Sequence, residues 1–122
     1  MKLKYLFYIQ TVVFLNAIGF IFAPAALLGR SGIVSNPELN LAFQNTGGLL
    51  LFLGLVAFFA ARTEDSPLRR NVRLAFFVAH SVLFTVYAFN QVTGGPTFGP
   101  IIWVHLVFAL AYGYFQFIKP DA

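Results

Sequence analysis

The sequence predicts an all-α integral membrane protein: one domain, residues 1–122, of four transmembrane helices in an antiparallel bundle with both termini cytoplasmic. Three observations predict it. Of 122 residues, 59% are hydrophobic and 10% charged, whereas about a quarter of a soluble domain is charged, and a core this small could not hide so much apolar surface. Four uncharged stretches, at about 5–28, 41–61, 74–92 and 99–118, each approach the length of about 20 mostly apolar residues that a span needs. In a four-span arrangement Lys2, Lys4, Arg62, Arg69, Arg70, Arg73 and Lys119 then fall on one side and Arg30 on the other. The excess of cytoplasmic Lys and Arg in membrane proteins orients the chain accordingly. It also accounts for the net charge of +4 without nucleic acid as a partner.

The first span starts MKLKYLFYIQTVVFLNAIGFIFAPAA, with a basic tip, an apolar run and Ala23-Pro24-Ala25, as a secretory leader does. The apolar run is longer than a leader core and Pro24 occupies the middle of the cleavage motif, so the segment reads as a span whose end Pro24 bends. Asn16, Gly19 and Ala23 share one of its faces. GRSGIVSNPELN follows as a loop rich in turn residues. In the second span Gly47, Gly54 and Ala61 recur every seven residues, with Gln44 and Ala57 on the same side. That is a seam of small residues on which a neighbouring helix can pack closely. With Lys4 and Arg62 level at the cytoplasmic edge, Gly19 falls level with Gly47.

The loop RTEDSPLRRNVR sets topology, and its Arg69, Arg70 and Arg73 suit anionic lipid headgroups or a cytoplasmic partner. The third joint, TGGPTFGP, reads as a turn. Tyr5 and Trp103 stand near span ends, as interface aromatics do.

Spans three and four share a pattern. HSVLFTVYAFNQ (80–91) and HLVFALAYGYFQ (105–116) carry His, Tyr and Gln at the same offsets. Offsets of 7 and 11 residues return to within about 20° on a helix, so each set lines one face. In a hairpin symmetric about Pro96, His80 is level with Tyr112 and Tyr87 with His105. The expectation is two His–Tyr rungs about 10 Å apart, which would satisfy four polar groups that hydrocarbon penalises. Asn45, Asn90 and Gln91 lie towards the outer side with Asn16 deeper. They either line a small polar pocket or meet interfacial water.

Several chemistries are disfavoured. The chain has no cysteine, hence no disulfide, thiolate metal site or iron–sulfur cluster. Glu38, Glu64, Asp65 and Asp121 all lie outside the spans, so neither a Ser–His–Asp set nor a carboxylate proton relay forms at membrane depth. Zinc and copper lack a third ligand. Haem needs axial ligands that meet one iron, and the expected rungs separate the two histidines in depth. No metal, cofactor or catalytic residue is assigned.

The runs NTGGLLLFLGLVAFFAAR, SPLRRNVRLAFFVAHSVL and QVTGG carry a resemblance, over about 41–118, to small bacterial four-helix membrane proteins of the DoxX-like and uncharacterised kind. The resemblance implies the fold and no particular activity. Small multidrug transporters are similar in size but have a glutamate in the first span, where this chain has Gln10 and Asn16, which argues against proton-driven drug export.

The functional expectation is a small non-catalytic protein of a bacterial inner membrane, an accessory or assembly subunit or a binder of small apolar ligands. It would associate with itself or with a larger complex. A dimeric transporter or channel with a His/Tyr-lined path is the alternative, and a haem- or quinone-binding redox protein the third.

Overall fold

A computed structural model of the chain describes residues 2–94 and 100–120. Among these the regular elements are helices: α1 (Leu3–Phe14), α2 (Ala17–Phe22), α3 (Pro24–Arg30), α4 (Pro37–Arg62), α5 (Pro67–Val92) and α6 (Ile101–Gly113). A π-helical turn, Tyr114–Ile118, continues α6. Four segments are long and apolar enough to cross a membrane: Leu3–Phe22, Pro37–Arg62, Pro67–Val92 and Ile101–Ile118. The chain divides into two compact units, Phe7–Arg62 and Met1–Leu6 with Thr63–Ala122. Each is in essence a helical hairpin.

Local chemistry places the helix starts. Asn36 accepts the Leu39 N–H at 2.7 Å and Pro37 occupies the first position of α4. Ser66 accepts the Arg69 N–H at 3.2 Å and Pro67 opens α5 in the same way. That second start corrects the expected loop. The helix begins seven residues before the apolar run, so Arg69, Arg70 and Arg73 stand on its first turns and only Thr63–Ser66 connects the helices. Arginine is a good helix former once a cap is present. After α3, Gly32 takes φ +71° and the Ile33 N–H reaches back to the Leu28 carbonyl at 3.0 Å. This left-handed helix end favours glycine.

In the first hairpin the expected span 5–28 is not one helix. It is interrupted between Phe14 and Ala17 and again at Ala23, where Pro24 can supply no N–H to the ladder. The membrane-length part ends at Phe22. The last carbonyls of α2 therefore lack intrahelical donors, and Gln44 Nε2 on α4 donates to the Ile21 carbonyl at 3.1 Å. The α4 seam forms as expected, with Gly47, Gly54, Ala57 and Ala61 buried. A Cβ on Gly47 would stand 2.7 Å from Ile21 Cγ1, 2.9 Å from Phe20 Cβ and 3.0 Å from the Ala17 carbonyl oxygen. One on Gly54 would stand 3.0 Å from Phe14 Cβ. The antiparallel level is as expected, but Gly19 is not on this seam: its nearest neighbour is Leu27 of α3. The break at Leu15–Asn16 turns the helix, so Ala17, Phe20 and Ile21 meet Gly47 instead.

Candidate functional site, a histidine pair in the second hairpin

The second hairpin packs α5 against α6 and the π-helical turn. Positions 73, 76, 80 and 87 of α5 recur at three, four and seven residues, and so form one stripe. Its side chains are Arg73, Phe76, His80 and Tyr87. His105, Phe108, Tyr112 and Gln116 supply the facing stripe.

The two stripes meet as a continuous column of rings. Tyr87 stacks on His105 with centroids 5.4 Å apart and planes at 16°. His105 adjoins His80 at 5.1 Å. His80 stacks on Phe108 at 4.9 Å and 18°, and Phe76 on Tyr112 at 5.4 Å and 23°. His80 and Tyr112 are nearly parallel at 6.1 Å. His80 and Tyr112, and Tyr87 and His105, thus meet ring on ring, which is stacking and not the mutual hydrogen bonding expected of the rungs.

The hydrogen bond at the centre joins the histidines themselves. His80 Nδ1 and His105 Nδ1 are 2.8 Å apart. A symmetric hairpin places these residues two turns apart in depth. Instead the closest partners of His80 and Phe76 are Phe108 and Tyr112, one turn from where symmetry about Pro96 puts them. Tyr87–His105 and His80–Tyr112 keep the symmetric pairing while Phe76–Tyr112 and His80–Phe108 are one turn from it, so each ring meets more than one ring of the facing helix. The turn expected at Gly95-Pro96 lies outside the described residues.

At the other end of the column stands Arg73, only 1% exposed. Its Nε donates to Gln116 Oε1 at 2.7 Å and its Nη1 to the Pro120 carbonyl at 2.8 Å. The π-helical turn carries Gln116 to this position, closed by the Lys119 N–H on the Tyr114 carbonyl at 2.9 Å. Arg73 was expected among the headgroup-binding arginines; it is an interior residue. Arg69 is half-buried and Arg70 exposed. The sequence held a signal for Arg73, which lies seven residues before His80 and so on the same stripe. Charge alone assigns it to the loop.

The column passes from dry to accessible. Tyr112 is 0% and His80 3% exposed, with Phe76 and Phe108 also buried. His105 and Tyr87 are half-buried. The remaining polar residues of interest are placed as follows. Asn16 Nδ2 donates to the Val13 carbonyl at 2.8 Å, which occupies it at the α1–α2 break. Asn45 is exposed on α4, Asn90 is half-buried in the last turn of α5, and Gln91 is exposed. Asn16 and Asn45 belong to one hairpin and Asn90 and Gln91 to the other, so neither hairpin assembles the four.

The arrangement limits what the pair can hold. Among the described residues no three His, Cys, Asp or Glu side chains gather as a metal site. Two nitrogens on opposite sides of one metal ion, with bonds of about 2 Å each, would be roughly 4 Å apart. The two Nδ1 atoms are 2.8 Å apart, at hydrogen-bond distance. Comparison with protein-family models, curated proteins and solved structures finds no match to this chain.

Proposed function

We propose that the chain is a small non-catalytic integral membrane protein of a bacterial cytoplasmic membrane that works as an accessory or assembly subunit of a larger membrane complex. The observation that carries this reading is how the polar side chains of the spans are used. His80 bonds His105, Arg73 bonds Gln116 and Pro120, and Gln44 satisfies a carbonyl freed by a helix break. Each serves to hold one helix to its neighbour. The outward residues are large and apolar, among them Val12, Phe52, Phe59, Val107 and Leu110. These suit lipid chains and other helices.

Both termini and the Thr63–Ser66 connection lie on the cytoplasmic side in this reading, with Arg70 at the headgroups of anionic lipids. The resemblance of residues 41–118 to small four-helix membrane proteins agrees with it. A dimeric transporter with a His/Tyr-lined path is a second reading, favoured by the half-buried His105 at the accessible end of the column. A haem- or quinone-binding redox protein fits less well, because stacked aromatic rings fill the space beside His80.

Native mass spectrometry of the protein, extracted from its own membrane in mild detergent, tests the reading. A complex heavier than any multiple of the chain, containing a second polypeptide, is the expected result. A bare chain or a simple multiple of it would overturn the accessory role and favour the dimeric transporter.

A further inference from the structure

We propose that the second hairpin carries a site for one lipid with two acyl chains and an anionic phosphate headgroup. The chains lie in two grooves on either side of Leu110 and Tyr114, and the headgroup meets Lys119. The inference rests on the reading of the chain as membrane-spanning, and not on its accessory role or its orientation.

The grooves lie where α6 is small. Ala109 and Gly113 line the first and Ala111 the second, each among larger neighbours. A Cβ on Gly113 would stand 3.1 Å from Phe77 Cε2, so α6 approaches α5 closely at the floor of the first groove. That groove, about 590 Å³, has Phe77, Ser81 and Phe84 of α5 as its other wall. The second, about 410 Å³, runs along α6 past Val107 and Ala111 to Lys119. Both volumes lie in the range of about 300–1,000 Å³ usual for small-molecule sites. The grooves share Leu110 and Tyr114, which are exposed, so they are neighbours with one ridge between them. Their lining is mostly apolar and carries no acidic residue.

Length and charge select the occupant. The first groove reaches from Leu106 to Ile118 and the second from Val107 to Lys119, each about 18 Å at 1.5 Å per residue. One leaflet is about 15 Å of hydrocarbon, half of the bilayer core. Each groove is therefore about one leaflet long, and both end at the same level of α6, as two chains on one headgroup require. Lys119 stands at that end. Phe77 meets Phe117 edge to face at 5.3 Å, which brings the start of α5 to the same level. Exposed Arg70 lies seven residues before Phe77, on the stripe of Phe77 and Phe84 and about 10 Å further out. The end of a helix repels anions, and the adjoining start of α5, of opposite polarity, offsets that repulsion. Side-chain cations therefore decide which headgroup is held, and they match a phosphate.

The test is native mass spectrometry of the full chain in detergent, with phosphatidylglycerol or phosphatidylcholine of identical acyl chains added in graded amounts. One phosphatidylglycerol per chain is expected to bind at least about fivefold more tightly than phosphatidylcholine, the effect of roughly one basic residue at an anionic surface. Lys119→Gln leaves the backbone bond from Lys119 to Tyr114 in place and should bring the two lipids level. Ala111→Phe fills the second groove and should weaken both. Equal binding of the two lipids by the natural chain, an undiminished preference in Lys119→Gln, unchanged binding in Ala111→Phe, or a second copy of the chain in place of lipid would overturn the proposal. The comparison of lipids on the natural chain decides the matter even if a variant does not fold. Failure of the membrane reading shows separately, as a chain recovered in the soluble fraction of its cells, and would overturn the lipid site with it.

Discussion

The imidazole of His80 is almost wholly enclosed, so its hydrogen bond to His105 bears on stability more than an exposed contact would. Replacing either ring with phenylalanine is expected to cost about 1–3 kcal/mol, because the surviving imidazole loses its partner. The double replacement should cost less than the two losses combined by about 1 kcal/mol. A double-mutant cycle of unfolding in detergent measures this, and purely additive losses would show that the two rings do not support one another. Arg73 makes a second case. Arg73→Met removes hydrogen bonds from a charged group, each contributing about 1.5–3 kcal/mol. Arg73→Lys should rescue little, since its ammonium lacks the planar fork that serves Gln116 and Pro120 together. Amide exchange over 114–119 is expected to rise in both variants, and unchanged protection would count against the clamp. These roles were only partly legible. The repeated His and Tyr spacing pointed to the stripes that meet, because helical periodicity is a property of the chain alone, but of the two glutamines Gln116 bonds Arg73 and Gln91 is exposed. Which ring bonded which was not legible, since it depends on how side chains of two helices reach across to one another, and His80 bonds His105 as well as stacking near Tyr112.

At the scale of the helices, α4 presents two adjacent glycines in opposite circumstances. Gly47 is pressed against Ala17, Phe20 and Ile21, whereas a Cβ on Gly48 would have nothing within 4 Å. Gly47→Ala is expected to destabilise the first hairpin by about 1–3 kcal/mol through overpacking. Gly48→Ala should be neutral or stabilising by up to about 1 kcal/mol, the gain in helix propensity. Thermal unfolding of the two variants side by side separates packing from propensity, and equal effects would remove the seam as the explanation. The heptad of small residues was legible because spacing on an unbroken helix needs no partner to be read. The partner residues were not legible. A continuous first helix puts Gly19 level with Gly47, and nothing in TVVFLNAIGF announces the break at Leu15–Asn16. Pro24 did announce its own.

For the molecule as a whole, the number of spans was the most legible feature, since length and apolarity are composition read in windows. Their ends were less so, because caps such as Ser66-Pro67 extend helices beyond the apolar run. Orientation is open to a direct test, made cleaner by the lack of native cysteine. Single cysteines at Ser35 and Asp65 are expected to react oppositely with a membrane-impermeant maleimide in intact cells, Ser35→Cys labelling and Asp65→Cys protected until lysis. The reverse pattern would invert the topology.

The π-helical turn has a consequence for sequence length. Removing one residue from a regular span rotates everything beyond it by about 100° and usually scrambles a packed face. The wide turn at Tyr114–Ile118 already holds one residue more than an α-helical turn needs. A shortened chain can absorb a deletion there by tightening to a regular helix, with the upstream column from Tyr87 to Tyr112 undisturbed. This segment is therefore where the fourth long helix can lose a residue, at the cost of the contacts that the turn and its exit carry, Arg73 with Gln116 and Pro120 first among them.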